Sequence, residues 1–236
     1  HQLTQYTGNC ARPGGGVYLL DLPGQSMACT DLTAGRLPQG SFEFCDVSPD
    51  GTRVLFSFCA ADRAPVNREQ ALDRFFHLYE IALPHRTIRQ LTSDPYDDFG
   101  AKYLSDGQIV FVSTRRGGFH RCGQGPCPVH TLTACDANGR NIRVISFHET
   151  HEWDPVPLFD GRILYTRWDY VDRNAVFYQQ LWTVRSNGEF VQAYYGNNTL
   201  NPVGIWEARP IPGTNAIIAT AAAHHAMTAG SIIRLD

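Results

Sequence analysis

The chain has 236 residues, 43% of them hydrophobic and 18% charged, and a formal net charge of -3 at pH 7. That balance excludes the basic footprint of a nucleic-acid binder, and no apolar run reaches the ~20 residues that a bilayer-spanning helix needs. The length suits one all-β domain or two small ones, and an opening on His1 rather than Met leads us to expect a processed chain or an excised piece.

In chain order, "GVYLLDLPGQSMACTDLT" reads as the last two strands of a partial repeat over 16–42. "CDVSPDGTRVLFSF" then gives a hairpin about Asp50-Gly51, and "HLYEIALPHRTIRQLT" gives a second, so 43–92 reads as four antiparallel strands, a to d. Between the two hairpins, "NREQALDRFFHLY" from Asn67 has at most a turn or two of helical period. The same pair of hairpins returns over 97–146, about Asp106-Gly107 and Asn138-Gly139, and over 151–195, about Asp160-Gly161 and Asn187-Gly188. A final piece, 205–236, supplies strands a, b and c about Pro212-Gly213. Asp50 and Asp106 are 56 residues apart, and Asp106 and Asp160 are 54 apart, a period that suits a propeller blade. The expected fold is all-β, a β-propeller of four-stranded antiparallel blades. About four blades are visible in one domain over 1–236, as part of a larger, six- or seven-bladed ring. A β-sandwich with fortuitous spacing is the alternative.

Seven cysteines favour an oxidising compartment, periplasm or cell exterior, with disulfides. Cys45 and Cys59 flank the Asp50-Gly51 turn at nearly matching distances, which suggests a pair across the hairpin; Cys122 and Cys127 close a short loop, and Cys10 with Cys29 is the remaining pairing.

In a four-strand blade the a–b and c–d turns share one face, and here they are tight. The longer b–c and d–a loops share the other, where function is expected. "FHETHEWD" crowds His148, Glu149, His151, Glu152 and Asp154 into one d–a loop. The two histidines stand three apart, not the four of a helical metalloprotease pair, so the resemblance to that motif is superficial. Neighbouring loops add His120, Cys122, Cys127 and His130, then Trp168, Asp169, Asp172 and Arg173, then Glu207, His224 and His225. Imidazole, thiolate and carboxylate are ligands for zinc, copper or iron. His120, His148, Glu149, His151, His224 and His225 are therefore the candidate metal ligands, and Arg167, Trp168, Asp169, Glu207 and Arg209 the candidate binding residues. Asp97, Asp98 and Asp154 are expected to tie strand a to backbone amides.

The stretches "YLSDGQIVFVSTR", "HRCGQGPCPV", "FDGRILYTRWDYVDR", "YGNN", "WEARPIPG" and "HHAMTAGSI" cover most of 97–236. They resemble bacterial proteins related to the alpha subunit of hydrazine synthase, with a propeller of the TolB type built from PD40 repeats. Relatives of this kind often carry a cysteine after the "STR" triplet, where this chain has Arg116, so a metal role that depends on that thiol does not transfer. The resemblance implies an extracytoplasmic redox setting, and a haem-bearing domain or subunit as partner. The chain itself has no C-x-x-C-H motif for covalent c-type haem. Three functions stay open: a binding or assembly module engaging a haem domain, metal or partner; a metalloenzyme with its own His/Glu (Cys) site; and a scaffold alone.

Overall fold

The structure, a computed structural model, describes residues 7–66, 72–120, 122, 127–171, 178–196, 199–224 and 230–236. The helical turn expected from Asn67 falls largely on 67–71, outside the described residues, as do Asp172, Arg173 and His225. Two compact units are present, one formed by His1–Tyr103 with Asn138–Arg140, the other by Leu104–Ala137 with Asn141–Asp236.

In the first unit β1 (Tyr18–Leu20) and β2 (Cys29–Asp31) form an antiparallel pair. A four-stranded antiparallel sheet follows in chain order: β3 (Gly40–Val47), β4 (Arg53–Ala60), β5 (His77–Ala82) and β6 (Thr87–Gln90). β7 (Asp98–Tyr103) ends the unit. The middle strand β4, "RVLFSFCA", is buried at six consecutive residues, whereas β6, the outermost, is mostly exposed. A strand covered on both faces needs an apolar run rather than an alternation, and its Val54, Phe56 and Phe58 build the core with Val17, Leu32 and Ile81.

The second unit opens with three antiparallel strands, β8 (Ile109–Ser113), β9 (Thr131–Cys135) and β10 (Arg143–Val144). β11 (Glu152–Pro157), β12 (Ile163–Trp168), β13 (Gln179–Val184) and β14 (Gln192–Tyr195) form the next four-strand set, then β15 (Gly204–Pro210), β16 (Ile217–Ala222) and β17 (Ser231–Leu235) a three-strand one. One parallel bridge, Gln179 to Gly204, links the two sets. Val156, Leu164 and Leu181 of the first pack on Ile205, Ala208, Ile217 and Ala219 of the second.

Local chemistry explains the turns. Asp50, Asp106 and Asp160 each accept, through Oδ1, the amide two residues on, at 3.1, 3.0 and 3.0 Å. Gly51, Gly107 and Gly161 then take φ of 69°, 82° and 84°, a region costly for any other residue.

A second repeat was not anticipated. Phe44, Gly100, Asp154 and Glu207 all have left-handed φ, between 46° and 65°, at corresponding points of β3, β7, β11 and β15. In β3, β11 and β15 the ladder register shifts at that residue, the mark of a β-bulge.

The register also corrects the expected Cys45–Cys59 pair. Cys45 lies opposite Phe56, and Cys59 opposite Ser41. The three-residue step from Phe56 to Cys59 spans about 10 Å of strand, beyond the ~7 Å Cα separation a disulfide tolerates. Cys10 ends a short 3-10 turn and the exposed Cys29 opens β2; both are free thiols, and no disulfide is found among the described residues.

Candidate functional site

His120 and Cys127 are brought together by the b–c loop's own backbone. His120 N–H donates to Cys127 O at 3.1 Å, Val129 N–H to Gly118 O at 3.0 Å, and Phe119 and Pro128 form an antiparallel bridge. The two legs of the loop are thus zipped, with both side chains at the zipped end. His151 arrives from the next d–a loop. Its carbonyl accepts Trp168 N–H at 3.1 Å, and the following amide, Glu152 N–H, donates to His130 O at 3.0 Å.

The result is a compact group. Cys127 Sγ lies 3.7 Å from His151 Nε2, and one ring nitrogen of His120 lies with them inside a 4.8 Å span. Their residues are 8%, 4% and 0% exposed for His120, Cys127 and His151. His130 stacks on His151 at 3.8 Å between centroids, and Trp153 and Trp168 lie 5.5 and 6.4 Å from the same ring. The Cys122–Cys127 disulfide expected from spacing is absent: Cys122 is a half-buried free thiol, and the Cys127 sulfur is turned to His151.

Burial sets the protonation of these rings, because a charged imidazole loses its hydration there. It lowers His120, takes His151 well below its ordinary value with help from the charges of His130 and His120, and brings His130 down to about 3. All three rings are neutral near pH 7, so each offers a lone pair. The neighbouring Glu152 carboxyl, wholly buried, is pushed up to about 7 by desolvation while accepting Leu132 N–H at 2.9 Å and the Ser146 hydroxyl at 2.6 Å.

The other predicted residues stand beside this group rather than in it. His148 Nε2 donates to Trp168 O at 2.7 Å and lies 3.6 Å from Asp169 Oδ1; burial and the Arg167 charge bring its pKa down to about 4. Glu149 Oε1 accepts Tyr170 N–H at 3.1 Å. His224 Nδ1 meets the Gln179 side-chain amide, with its ring 5.1 Å from Trp168. So the d–a loop holding His148 and the last b–c loop holding His224 do approach the same indole. Trp168 is fully buried and joins the core rather than walling an open pocket. Asp169 takes Arg167 Nε at 2.8 Å, and the Arg167 guanidinium covers the Trp182 ring at 3.9 Å. Glu207 is exposed, its amide donating to Asp154 Oδ2 at 3.0 Å, and Arg209 Nη1 donates to Ala208 O at 2.9 Å; neither reaches the imidazoles. Asp97 meets the role expected of it, accepting Gly8 N–H at 2.7 Å and Phe76 N–H at 2.9 Å.

Sequence reasoning assigned Cys127 to a disulfide and missed Glu152 and Gln179 as buried partners. The available signal was position: His130 directly precedes β9, and Glu152 and Gln179 open β11 and β13, where a polar group buried at the end of a sheet strand must be paired or functional.

No family model matches the chain, and no curated protein matches it. Solved structures of similar fold include Kuenenia stuttgartiensis hydrazine synthase, with TM-score 0.65 and 14% identity over 83% of this chain and 31% of that one. The tricorn protease gives 0.63 and 11% over 95% and 23%, and a putative TolB from Agrobacterium tumefaciens 0.52 and 19% over 76% and 56%. At these identities the likeness shows the fold, a TolB-like β-propeller of four-stranded blades, and the chain spans less than two thirds of each of these proteins.

Proposed function

We propose that the chain is the propeller part of a larger periplasmic or extracellular protein akin to the alpha subunit of hydrazine synthase, serving as a binding and assembly module. Its b–c and d–a loops engage a haem-bearing domain, a metal or a partner subunit. The observation that carries this reading is where the second unit's uncommon side chains come from. His120 and Cys127, His148 and His151, Trp168 and Asp169, and His224 belong to successive b–c and d–a loops, and they converge around Trp168. The a–b turns carry hydrogen bonds centred on their own aspartates, with an Arg162–Asp160 ion pair at the third. Covalent c-type haem would be carried outside this stretch, which has no C-x-x-C-H motif.

The test is to tag the native full-length protein, purify it without detergent from the extracytoplasmic fraction, and measure haem absorbance and mass. The expected result is stoichiometric c-type haem on the same polypeptide or on a firmly bound subunit. Purification as a haem-free single species with no bound partner would refute it and favour a scaffold.

A second reading, a metal-dependent activity of the chain's own, is favoured by the buried His-Cys-His group.

A further inference from the structure

The donor atoms of the second unit that are best suited to a metal are not those of "HETHE" and "HH" but a triad drawn from two loops. We infer that His120, Cys127 and His151 bind one thiophilic transition-metal ion, of the zinc or copper(I) class, through Cys127 Sγ and one ring nitrogen from each histidine. This rests on the reading of the loops as a binding region and names its ligand chemistry.

Geometry supports the triad. With bonds of about 2.3 Å to sulfur and about 2.0–2.1 Å to nitrogen, a tetrahedral centre separates an S and an N ligand by about 3.6 Å. Cys127 Sγ and His151 Nε2 are already 3.7 Å apart. The His120 corner, within a 4.8 Å span, needs to close by about 1 Å to reach tetrahedral edges. His120 Nε2 is buried with no hydrogen-bond partner, an unfavourable state unless something engages that nitrogen. The backbone bonds between His120 and Cys127, and between His151 and Trp168, fix the positions from which the side chains reach.

Chemistry selects the ion. Thiolate with two imidazoles favours zinc and copper over magnesium or calcium, which require oxygen ligands. His148, Glu149 and His224 already hold Trp168 O, Tyr170 N–H and Gln179. Loading has a defined proton balance. Cys127 loses its thiol proton to solvent as the sulfur–metal bond forms. In the metal-free chain the Cys122 amide donates to His120 Nδ1 at 2.9 Å, so the ring proton sits on Nε2; on loading that proton moves to Nδ1 and the amide turns away. The His130 amide approaches His151 Nδ1 only at 3.4 Å, too long to hold that lone pair firmly. One proton is therefore released per ion bound.

The experiment uses the full chain, reduced, stripped with chelator and titrated anaerobically, with Co(II) as probe for the zinc class and Cu(I) against a chromophoric competitor. Expected are one ion per chain, a thiolate-to-cobalt charge-transfer band and one proton released. Cys127→Ser should abolish the band and weaken binding by at least ~100-fold, while Cys29→Ser, at an exposed thiol of the first unit, binds as the parent does. Should Cys127→Ser fail to fold by near-ultraviolet circular dichroism, the thiolate band and proton count on the parent decide. One equivalent bound without the thiolate band, or a band kept in a folded Cys127→Ser, overturns this ligand set while leaving a metal-binding loop region intact. No stoichiometric ion under either probe overturns it outright, and the haem and partner measurements on the native protein stand apart from both results.

Discussion

Asp97 gives the sharpest test of the packing in the first unit. Its carboxyl is almost wholly buried beneath the Gly8 and Phe76 amides, and desolvation pushes its pKa from 3.8 to about 7, with the Asp98 charge adding to the rise. Between about pH 4 and pH 7 the folded chain keeps a proton there that the unfolded chain has released. The folded state then binds more protons, and stability falls as pH rises, levelling off above about pH 7. A shift of about three units at 1.36 kcal/mol each makes the loss about 4 kcal/mol. In Asp97→Asn an amide oxygen still accepts both N–H groups, and there is no charge to bury. Glu43, raised to about 7 by burial and then by the Asp97 charge, is relieved as well. Urea unfolding of the parent and of Asp97→Asn, followed by far-ultraviolet circular dichroism from pH 4 to 8, should show the variant gaining about 4 kcal/mol on the parent across that range. Taking the difference removes every shared group whose titration the substitution leaves unchanged, Glu43 being the exception. A difference flat with pH would mean that Asp97 is ionised in the folded chain, and would refute the burial argument.

Three further outcomes are expected in the second unit, which contains all four tryptophans and is therefore followed by their fluorescence. Trp168→Ala, which empties a fully buried indole site, should cost about 3–5 kcal/mol in urea; a cost under about 1 kcal/mol would show that the indole is not a core element. Gly188→Ala would place a Cβ 2.7 Å from Ile145 O at φ 87°, whereas Gly213→Ala at φ 76° meets nothing within 4 Å. The first should therefore cost clearly more than the ~1 kcal/mol of the second, and equal midpoints would contradict the close approach. Asp154→Asn should be nearly neutral, since asparagine tolerates left-handed φ and keeps an oxygen for Glu207 N–H. Asp154→Val should lose ~2 kcal/mol or more, read from the same midpoints.

The blade period was legible because it is written in local chemistry: an aspartate that caps its own turn and a glycine that supplies positive φ need no distant partner. The central strands were legible for a similar reason, "RVLFSF" and "IVFVS" being apolar at almost every position. Cys45 and Cys59 show where local reading stops. The hairpin register about Asp50-Gly51 already sets Cys45 opposite Phe56, three residues short of Cys59, and the bulge at Phe44 shifts the ladder further. Which residues of "FHETHE" reach the buried group is likewise decided by register. His151 lies at the head of β11, held by Trp168 N–H, and a slip of one residue along a strand would send its side chain to the other face. Cys127 read as half of a disulfide because spacing places residues in the same loop but does not say which way a side chain points.

The bulges explain why their own repeat escaped notice. What the fold asks of each first strand is a conformation, and Phe44, Gly100, Asp154 and Glu207 share it without sharing a chemistry. In non-glycine residues a left-handed φ costs roughly 1–2 kcal/mol, and a bulge also takes a backbone amide out of the ladder, which then needs another acceptor. At Glu207 that acceptor is Asp154 Oδ2, the side chain of the bulged residue one repeat earlier. One bulge thus aims a carboxylate at the amide released by the next. The spacing of 53 residues between them is close to the turn period, so the two repeats have a common origin in the blade. Only the turn repeat is carried by residues that are chemically obliged to be there.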